Sequence, residues 1–423
     1  MFKTEYLHIK PLENNIINDF IADNNLFAVF DSTPVNVIFL DNFVNNIKNF
    51  KDIFALNNMR DNIFFSCKAN KSYALLKTAA EQDCGIEVSS YYELKDALKY
   101  TNKIIVSGPA KDNKYLMCAI INNCIISVDD IEELKEIIKI GKKVKIMLRI
   151  SDLLNKISRF GINISQVDEC IKIIQNSEIE IIGFSFHINN YNLDDRVKAV
   201  KELIEIIQQK NLQVKYIDIG GGMPVNYCTK DDFLNFKKHN NKNMYFKEKE
   251  FKDFYPYYNE IATNEALDYI LKKIKNEMKD LQLIIEPGRS LLDNCGISIF
   301  KVQYLKHIFN GDKLIVTNGN INCLSEQWFN SDYLIEPKLY YKGNRKKQEI
   351  FASVAGNLCL EQDMLTWRKI KFDYIPKNGD YLIYYNTAGY QMDSNESTFN
   401  KIPLVNKYIV SKIGDKYIIK GDE

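Results

Sequence analysis

Short apolar segments alternate with longer amphipathic segments along most of the chain. The apolar segments lack a polar face, which is typical of strands buried on both sides of a parallel sheet. Eight of them can be counted between Ile63 and Gly288: IFFSCK, GIEVS, IIVSG, CIISV, VKIMLRI, IIGFSFHI, VKYIDIG and LQLIIEPG. Apolar residues at helical spacing predict helices between these strands, at 72–81, 91–99, 112–121, 130–139, 166–177 and 194–209.

Eight strand–helix units predict a (β/α)₈ barrel, which we place at residues 36–290. The same pattern can be written as a doubly wound sheet. However, eight units within about 230 residues agree with the usual barrel length of about 250 residues. After Arg289, strand-like segments separated by Gly, Asn and Asp predict a β-rich domain over 291–423, joined by N-terminal residues 1–35.

Two other segments complete the predicted organisation. At the N-terminus, LFAVFD (Leu26 to Asp31) alternates enough to predict a strand, and residues 43–50 have a helical pattern. The polar and aromatic segment Tyr227 to Tyr258 interrupts the seventh barrel unit. It is longer than an ordinary connection, which makes it a candidate lid or dimer-contact loop.

Composition excludes several classes of function. The 423 residues carry 56 Lys and Arg against 55 Asp and Glu, so a net charge of +1 gives no general attraction to nucleic acid or anionic membrane. No apolar run approaches the roughly 20 residues of a membrane helix. Nine scattered cysteines and four histidines show no zinc spacing, so we expect no metal. With no signal-peptide pattern, we expect a reducing cytoplasm.

Lys68 is the first candidate for chemistry, because it follows the first predicted strand within an apolar segment. If burial beside Phe64, Phe65 and Cys67 kept water away, the pKa of Lys68 would fall and its neutral amine could form a Schiff base. A lysine at a strand terminus can also pack its stem and extend its charge into solvent. The lysine alone does not decide between these interpretations.

Two glycine-containing loops follow the seventh and eighth strands, where barrel enzymes commonly bind phosphate. IDIGGGMP contains Gly220–Gly222, and glycines let backbone N–H groups approach an anion. IIEPGR adds Gly288, the bidentate phosphate partner Arg289 and the strand-end acid Glu286. Three glycines alone can form an ordinary turn, but the pair of loops predicts a phosphate site.

A lysine, a phosphate cradle and an isolated strand-end carboxylate together indicate pyridoxal phosphate. From Leu26 to about residue 410 the chain resembles the alanine-racemase-like, fold-type III pyridoxal phosphate enzymes, within them the ornithine, arginine and diaminopimelate decarboxylases. The resemblance implies a barrel with a β domain and a homodimer with shared active sites. It also implies that Lys68 carries the cofactor aldehyde.

The resemblance implies further site residues on this sequence. For the cofactor these are Arg149 in MLRI, His187 in FSFHI, Gly220, Gly221, Gly222, Glu286, Gly288, Arg289 and Tyr390 in NTAGY. Glu93 matches an acid after the second strand. Cys359 in GNLCLEQDML matches a proton-donating cysteine that the partner subunit supplies, and Lys68, Cys359 and His187 form the expected catalytic set. Taken singly, His187 could be a core histidine, Arg149 an ion-paired arginine and Cys359 a buried thiol.

The sequence also departs from the family pattern. Asn190 stands near the position of a phosphate-binding serine and is expected to replace it. Leu360 stands where the family has a substrate-binding acid, with Glu361 and Asp363 close by as candidates. Glu326 occupies the position of an arginine in diaminopimelate decarboxylases, so we expect Glu326, Glu361 and Asp363 to contact a different substrate.

We therefore expect α-decarboxylation of an amino acid or an amino-acid moiety of a larger molecule. EQWF and NTAGY resemble the decarboxylase module of microcin C maturation, which implies an aminocarboxypropyl group on a peptide–nucleotide antibiotic as substrate. Two alternatives stay open. One is an amino-acid racemase of the same fold, although Glu286 in place of an arginine at the ring nitrogen opposes it. The other is a non-catalytic regulator, which retention of Lys68 opposes.

Overall fold

The computed structural model describes residues 7–23, 25–30 and 34–422. Its helices are α1 (Asn15–Asp23), α2 (Leu26–Val29), α3 (Leu40–Leu56), α4 (Tyr73–Glu81), α5 (Tyr91–Ala97), α6 (Asn113–Ile121), α7 (Ile131–Ile140), α8 (Val167–Ile174), α9 (Leu193–Gln209), α10 (Lys230–His239) and α11 (Thr263–Met278). Its strands are β1 (Val35–Phe39), β2 (Phe64–Ser66), β3 (Gly85–Val88), β4 (Ile104–Val106), β5 (Ile125–Val128), β6 (Val144–Arg149), β7 (Ile179–Ser185), β8 (Tyr216–Asp218), β9 (Gln282–Ile284), β10 (Gly296–His307), β11 (Lys313–Thr317), β12 (Lys338–Tyr340), β13 (Ile350–Ala355), β14 (Met364–Phe372), β15 (Tyr381–Tyr385), β16 (Asn406–Ile413) and β17 (Lys416–Gly421).

Eight parallel strands, β2 to β9, are neighbours in chain order. The first and last of them are joined, because the Phe64 N–H donates to the Ile285 carbonyl at 2.9 Å and the Ile285 N–H to the Asn62 carbonyl at 3.0 Å. These bonds bring the two edges of the sheet together. The predicted (β/α)₈ barrel is confirmed, and each of its eight predicted strands is present.

Local sequence explains how these units form. Strands β2, β3 and β4 are buried throughout, as their unbroken apolar sequences predict. Helix α7 shows the complementary pattern: Asp130 caps its first turn, and Gly141 at φ 65° ends it in the left-handed conformation. Its buried residues, Ile131, Leu134 and Ile137, recur every third position on one face.

The chain divides into two compact units. The barrel unit comprises Val44–Pro224 and Ile261–Leu291. The β unit comprises the described residues up to Phe43, Val225–Glu260, and the chain from Leu292 onward. Residues 225–260, which lie inside the predicted barrel range, therefore pack with the β unit.

The β unit contains a mixed sheet in the order β14-β13-β11-β10-β1-β16-β17, with β15 also paired to β10 and β12 to β15. Its N-terminal strand is β1, which lies between β10, antiparallel, and β16, parallel. The predicted strand LFAVFD is wrong over its described part, because Leu26–Val29 is one helical turn; Asp31 lies outside the described residues. Leu26 and Phe30 are buried four residues apart, the spacing of a helix.

The aromatic segment 227–258 contributes to the core of the β unit. Tyr227, Phe236 and Tyr257 are at most 1% exposed and pack with residues of β10 and β15. Burying such rings is more favourable than leaving them exposed to water. These rings therefore belong to the core of the β unit, and the lid or dimer-contact role of the segment stays a prediction.

Candidate active site

Five predicted site residues lie at one end of the barrel. Arg149 is the last residue of β6, while Lys68, His187, Gly220 and Glu286 stand two positions after β2, β7, β8 and β9. Because the strands are parallel, their carboxyl ends meet at the same mouth. Gly288 and Arg289 follow Glu286 in the same loop.

Lys68 does not have the apolar surroundings that its sequence neighbours suggest. Phe64, Phe65 and Cys67 are buried, but the Lys68 side chain is 46% exposed. Its Nζ lies 3.1 Å from Oε2 of the fully buried Glu87. The expectation of a desolvated lysine is wrong, because the turn after β2 directs the amine into the mouth toward a carboxylate.

Glu87 is a site residue that the sequence analysis missed. It lies in β3 and accepts hydrogen bonds from the hydroxyls of Ser66, Ser89 and Ser107 besides Lys68. Burial alone would raise the pKa of Glu87, but the Lys68 charge and the three serine hydroxyls lower it to about 2. A charged residue inside the buried strand GIEV was the available signal.

Glu93, the acid that the resemblance indicated, makes a local contact. Its carboxylate accepts the Ser89 N–H at 2.6 Å, just before α5. Burial raises the pKa of Glu93. The contact satisfies a backbone donor at the start of the helix.

Glu286 forms an acid pair with Asp218, the last residue of β8. Burial, followed by the charge of Asp218, raises the pKa of Glu286 well above its ordinary value. Burial also raises the pKa of Asp218 to about 7, although its Oδ1 accepts the Gly220 N–H at 2.8 Å. Two buried carboxyls this close cannot both ionise cheaply, so the pair is suited to a cationic N–H group.

The glycine triplet is required by close packing. A Cβ at Gly220 (φ +64°) would lie 2.7 Å from Nδ1 of His187, and a Cβ at Gly222 (φ +83°) only 2.0 Å from Nη2 of Arg196. A Cβ at Gly221 would lie 2.7 Å from the carbonyl oxygen of Glu286. The loop after β8 therefore leaves a cradle that side chains would fill.

Arg196, on α9, is a second residue that the sequence analysis missed. It is fully buried and donates to the carbonyls of Ile188 at 3.0 Å and Asn192 at 3.3 Å. Burial lowers the pKa of Arg196 to about 10, so it stays cationic at pH 7. A buried positive charge beside Gly222 favours an anion at this loop.

His187 is accessible from the mouth, and its ring contacts the glycine loop. The surrounding protein, followed by the charges of Lys68 and Arg196, lowers the pKa of His187 below its ordinary value. The imidazole is therefore neutral at pH 7. A neutral ring can cover the face of a planar cofactor without adding charge.

Arg149 and Asn190 are held by other side chains. Nη1 of Arg149 lies 3.1 Å from Oδ1 of Asp129, and its guanidinium stacks 4.6 Å from the Phe160 ring. The Asn190 amide donates to Asp195 at 2.9 Å, at the start of α9. A phosphate contact by Asn190 stays a prediction.

The predicted substrate acids and the proton donor lie in the β unit. Asp363 is 4% exposed and accepts the N–H groups of Leu358 at 2.6 Å and Ile321 at 2.7 Å, so it stabilises the turn around Cys359. Cys359 itself is exposed. Their roles toward a substrate stay predictions.

Three more predicted residues of the β unit differ in their surroundings. Glu326 is 4% exposed and accepts a hydrogen bond from Gln391 at 2.5 Å. Glu361 is exposed and pairs with Lys247. Tyr390 has φ 71°, a left-handed conformation that is costly for a bulky residue.

The described residues contain neither a candidate metal cluster nor a membrane-spanning helix. No group of three His, Cys, Asp or Glu side chains in ranges 7–23, 25–30 and 34–422 could hold a metal ion. Among the helices of that part of the chain, none is long and apolar enough to span a membrane.

Comparison with known proteins gives a family and a fold. Residues 40–293 match the model of the pyridoxal-dependent decarboxylase, pyridoxal binding domain. An uncharacterized protein, y4yA, of Sinorhizobium fredii is 30% identical over 91% of this chain and 89% of its own length. The diaminopimelate decarboxylase of Aquifex aeolicus is 26% identical over 85% and 83%, respectively.

A solved structure agrees with the fold. The lysine decarboxylase of Selenomonas ruminantium, solved with PLP and cadaverine, superposes with a TM-score of 0.73 at 18% identity, covering 95% of each chain. The mouth residues fit pyridoxal phosphate. Lys68 could take its aldehyde, the Glu286–Asp218 pair its ring nitrogen, and the Gly220–Gly222 cradle its phosphate.

The Glu87 site predicts a pH-dependent contribution to stability. Since the folded pKa of Glu87 is about 2, below the ordinary glutamate value, its contribution is complete above about pH 4.5 and is lost as the pH falls toward 2. Replacing Glu87 with Gln should lower the free energy of unfolding at pH 7 by on the order of 3 kcal/mol. This difference should shrink between pH 4.5 and the acid limit of folding.

Urea unfolding at several pH values measures this difference. Glu180→Gln, at an exposed glutamate of β7, is the matched control and should change little at any pH. A Glu87→Gln variant with wild-type stability at pH 7 would contradict the assignment.

Proposed function

The chain belongs to the pyridoxal-dependent decarboxylase family, and we propose that its substrate is an amino-acid group carried on a larger molecule. It is a carboxy-lyase with pyridoxal phosphate as cofactor. When bound, pyridoxal phosphate supplies the aldehyde for the substrate amine and the ring that takes up the electrons left by CO₂. Membership of a decarboxylase family favours decarboxylation over amino-acid racemisation and over a non-catalytic regulatory role.

The roles of the mouth residues follow from their surroundings. Lys68 binds the aldehyde. Glu87, which is buried and ionised, orients the Lys68 amine by accepting a hydrogen bond from its nitrogen. The raised pKa of Glu286 keeps a proton between this acid, Asp218 and the ring nitrogen. His187 covers one face of the ring as a neutral group.

Two groups complete the proposed reaction. Arg289 and the glycine loops bind the phosphate, and the buried charge of Arg196 lies beside Gly222. Cys359 returns a proton to the α-carbon after CO₂ has left. An exposed thiol in a turn is accessible for this transfer, whereas the eight other cysteines are buried or partly buried.

The observation that carries the substrate proposal is a cavity in the barrel unit beside His187. Its volume is about 330 Å³. It lies between the loop after β6 and the loop after β7, and it is lined by Ile150, Ser151, Leu153, Lys156, Ile157, Ser158, Phe186, His187, Ile188, Asn189 and Asn190. A cavity of this size next to the proposed cofactor ring leaves room for more than a short amino-acid side chain.

The lining of the cavity favours a neutral polar group. Its one lysine, Lys156, lies 2.5 Å from Asp195 and is neutralised there. Hydroxyls of Ser151 and Ser158 and the Asn189 amide remain as polar groups among apolar walls. Such a lining suits an amide or a heterocyclic base better than a free carboxylate or ammonium group.

The β unit gives a second argument against free diaminopimelate. The resemblance places Glu326 where diaminopimelate decarboxylases have an arginine, and Glu326 is 4% exposed, so a distal carboxylate at that position would meet a like charge. A buried charge without a partner costs several kcal/mol. An aminocarboxypropyl group on a peptide–nucleotide conjugate avoids this cost.

Assembly and cellular context complete the proposal. The protein acts as a cytoplasmic homodimer in which the partner subunit's copy of the cysteine turn completes each site. The reaction serves antibiotic biosynthesis of the microcin C type. Sedimentation of the purified protein, alone and with cofactor, tests the dimer.

Replacing Lys68 with Ala should abolish turnover, because no other group at the mouth offers an amine in the same position. Borohydride reduction of the holoenzyme and peptide mapping should place the pyridoxyl group on Lys68. Lys71→Ala, three residues away, is the control and should keep activity. A pyridoxyl group on a different lysine would refute the assignment.

Replacing Glu286 with Gln should reduce kcat by about 100-fold or more, the size of a lost electrostatic stabiliser. The Kd for pyridoxal phosphate should change only a few-fold, because the phosphate loops remain. Absorbance titration with the cofactor and steady-state kinetics separate the two effects. Near wild-type turnover would remove the proton-holding role of Glu286.

The substrate proposal predicts a preference in kcat/KM. An aminocarboxypropyl conjugate should be turned over more efficiently than free ornithine, lysine, arginine or diaminopimelate. Asn189→Trp, which fills the cavity, should lower kcat/KM for the conjugate by roughly tenfold or more and leave free amino acids unchanged.

The matched control is Asn176→Trp, at an exposed asparagine outside the cavity lining. It should leave both classes of substrate unaffected. Efficient turnover of a free amino acid, with no response to Asn189→Trp, would refute the conjugate proposal and leave the decarboxylase assignment intact.

A further inference from the structure

The anchor segment, residues 242–251, is fixed to the β unit by buried aromatic rings. Tyr245 is 2% exposed and forms an antiparallel bridge with Arg368 of β14. Phe246 packs near Trp367 of the same strand, with 6.4 Å between ring centroids. The segment is therefore held by core contacts, although it has no regular strand or long helix.

Two residues of the anchor segment have unfavourable backbone conformations. Lys247 has φ 54° and Glu248 has φ 51°, both in the left-handed region that non-glycine residues avoid. A non-glycine residue keeps this conformation only where surrounding contacts dictate it. Here Tyr245 and Phe246 precede the pair and anchor it.

This backbone conformation directs Lys247 to the cysteine turn, residues 356–363. Lys247 forms an ion pair with Glu361, which is two residues beyond Cys359. Within the turn, Asp363 binds the Leu358 N–H, and the Cys359 N–H donates to Asn400 at 3.3 Å. The Lys247 contact is thus the link from the anchor segment to the turn that carries the exposed thiol.

A second contact leads from the anchor segment to the helical turn Ser325–Phe329. Trp367 packs near Phe246, and its ring centroid lies 5.4 Å from Nζ of Lys249. The indole N–H of Trp367 donates to Oε1 of Gln327 at 2.8 Å. Gln327 in turn donates to the Met364 carbonyl. The anchor segment is therefore connected to both parts of the β unit that hold predicted substrate or proton-transfer residues.

We propose that the anchor segment positions Cys359 for proton transfer, with Lys247 as the positioning residue. General acid catalysis needs the donor within hydrogen-bond reach of its acceptor, so a mobile turn would lower the rate. The proposal rests on the proposed function, because it gives Cys359 its role there. It also gives the long sequence between β8 and α11 a role in holding the cysteine turn.

The test compares the Lys247→Ala holoenzyme with wild type and with Lys242→Ala. Lys242 makes an exposed ion pair with Glu248 at 3.2 Å in the same segment, but it does not reach the cysteine turn. Hydrogen–deuterium exchange of 356–363 and the alkylation rate of Cys359 by iodoacetamide measure the turn directly. In Lys247→Ala both should rise by roughly two- to fivefold, the size expected for one exposed ion pair.

Activity should respond in a specific way. The kcat of Lys247→Ala should fall while KM stays near wild type, and Lys247→Arg, which keeps the positive charge, should retain kcat. Salt near 1 M should reduce the difference between Lys247→Ala and wild type, because salt weakens exposed ion pairs.

The outcomes separate the two proposals. Exchange and alkylation equal to those of Lys242→Ala would overturn the positioning role, whatever the activity. A looser turn with unchanged kcat would support positioning and refute Cys359 as the proton donor. Exchange and alkylation in Lys247→Arg equal to those of Lys247→Ala would also overturn the ion-pair argument.

Discussion

The hydrogen bonds between β2 and β9 are the constraint on which the site depends. Parallel strands leave unpaired N–H and C=O groups at both edges of an open sheet, and closure satisfies them at residues 62–66 and 285–287. The loop that carries Lys68 and the loop that carries Glu286 are thereby brought to one mouth. Residues more than 200 positions apart become neighbours because the backbone must be satisfied.

Charge balance decides what the mouth can bind. Three acids, Glu87, Asp218 and Glu286, are gathered there, and they differ because of their surroundings. Glu87 is ionised, since Lys68 and three hydroxyls compensate its burial. Asp218 and Glu286 are buried beside each other, and the Gly220 N–H that Asp218 accepts does not compensate this burial, so the pKa values of both acids are raised. One part of the mouth therefore offers an oriented amine, and another offers a proton-holding acid pair.

The β unit shows how an inserted segment gains a structural role. Residues 225–260 bring aromatic rings into the core formed by β10 and β15, and their burial repays the entropy of ordering a long loop. Once anchored, this segment holds Lys247 and Glu248 in a conformation that an exposed loop would not maintain. Burial of these aromatic rings thus accounts both for the core packing of the segment and for the Lys247 contact near the exposed cysteine.

The sequence by itself determined the order of strands and helices and the strand ends that carry Lys68, Arg149, His187 and Glu286. These features depend on local periodicity and on the short motifs at each strand end. Tertiary structure decided what those side chains meet. The exposure of Lys68, its pairing with Glu87, the buried Arg196 and the destination of 225–260 all depend on residues distant in the chain. The short helix Leu26–Val29 also depends on tertiary structure, because burial of one face overrode a weak local preference for a strand.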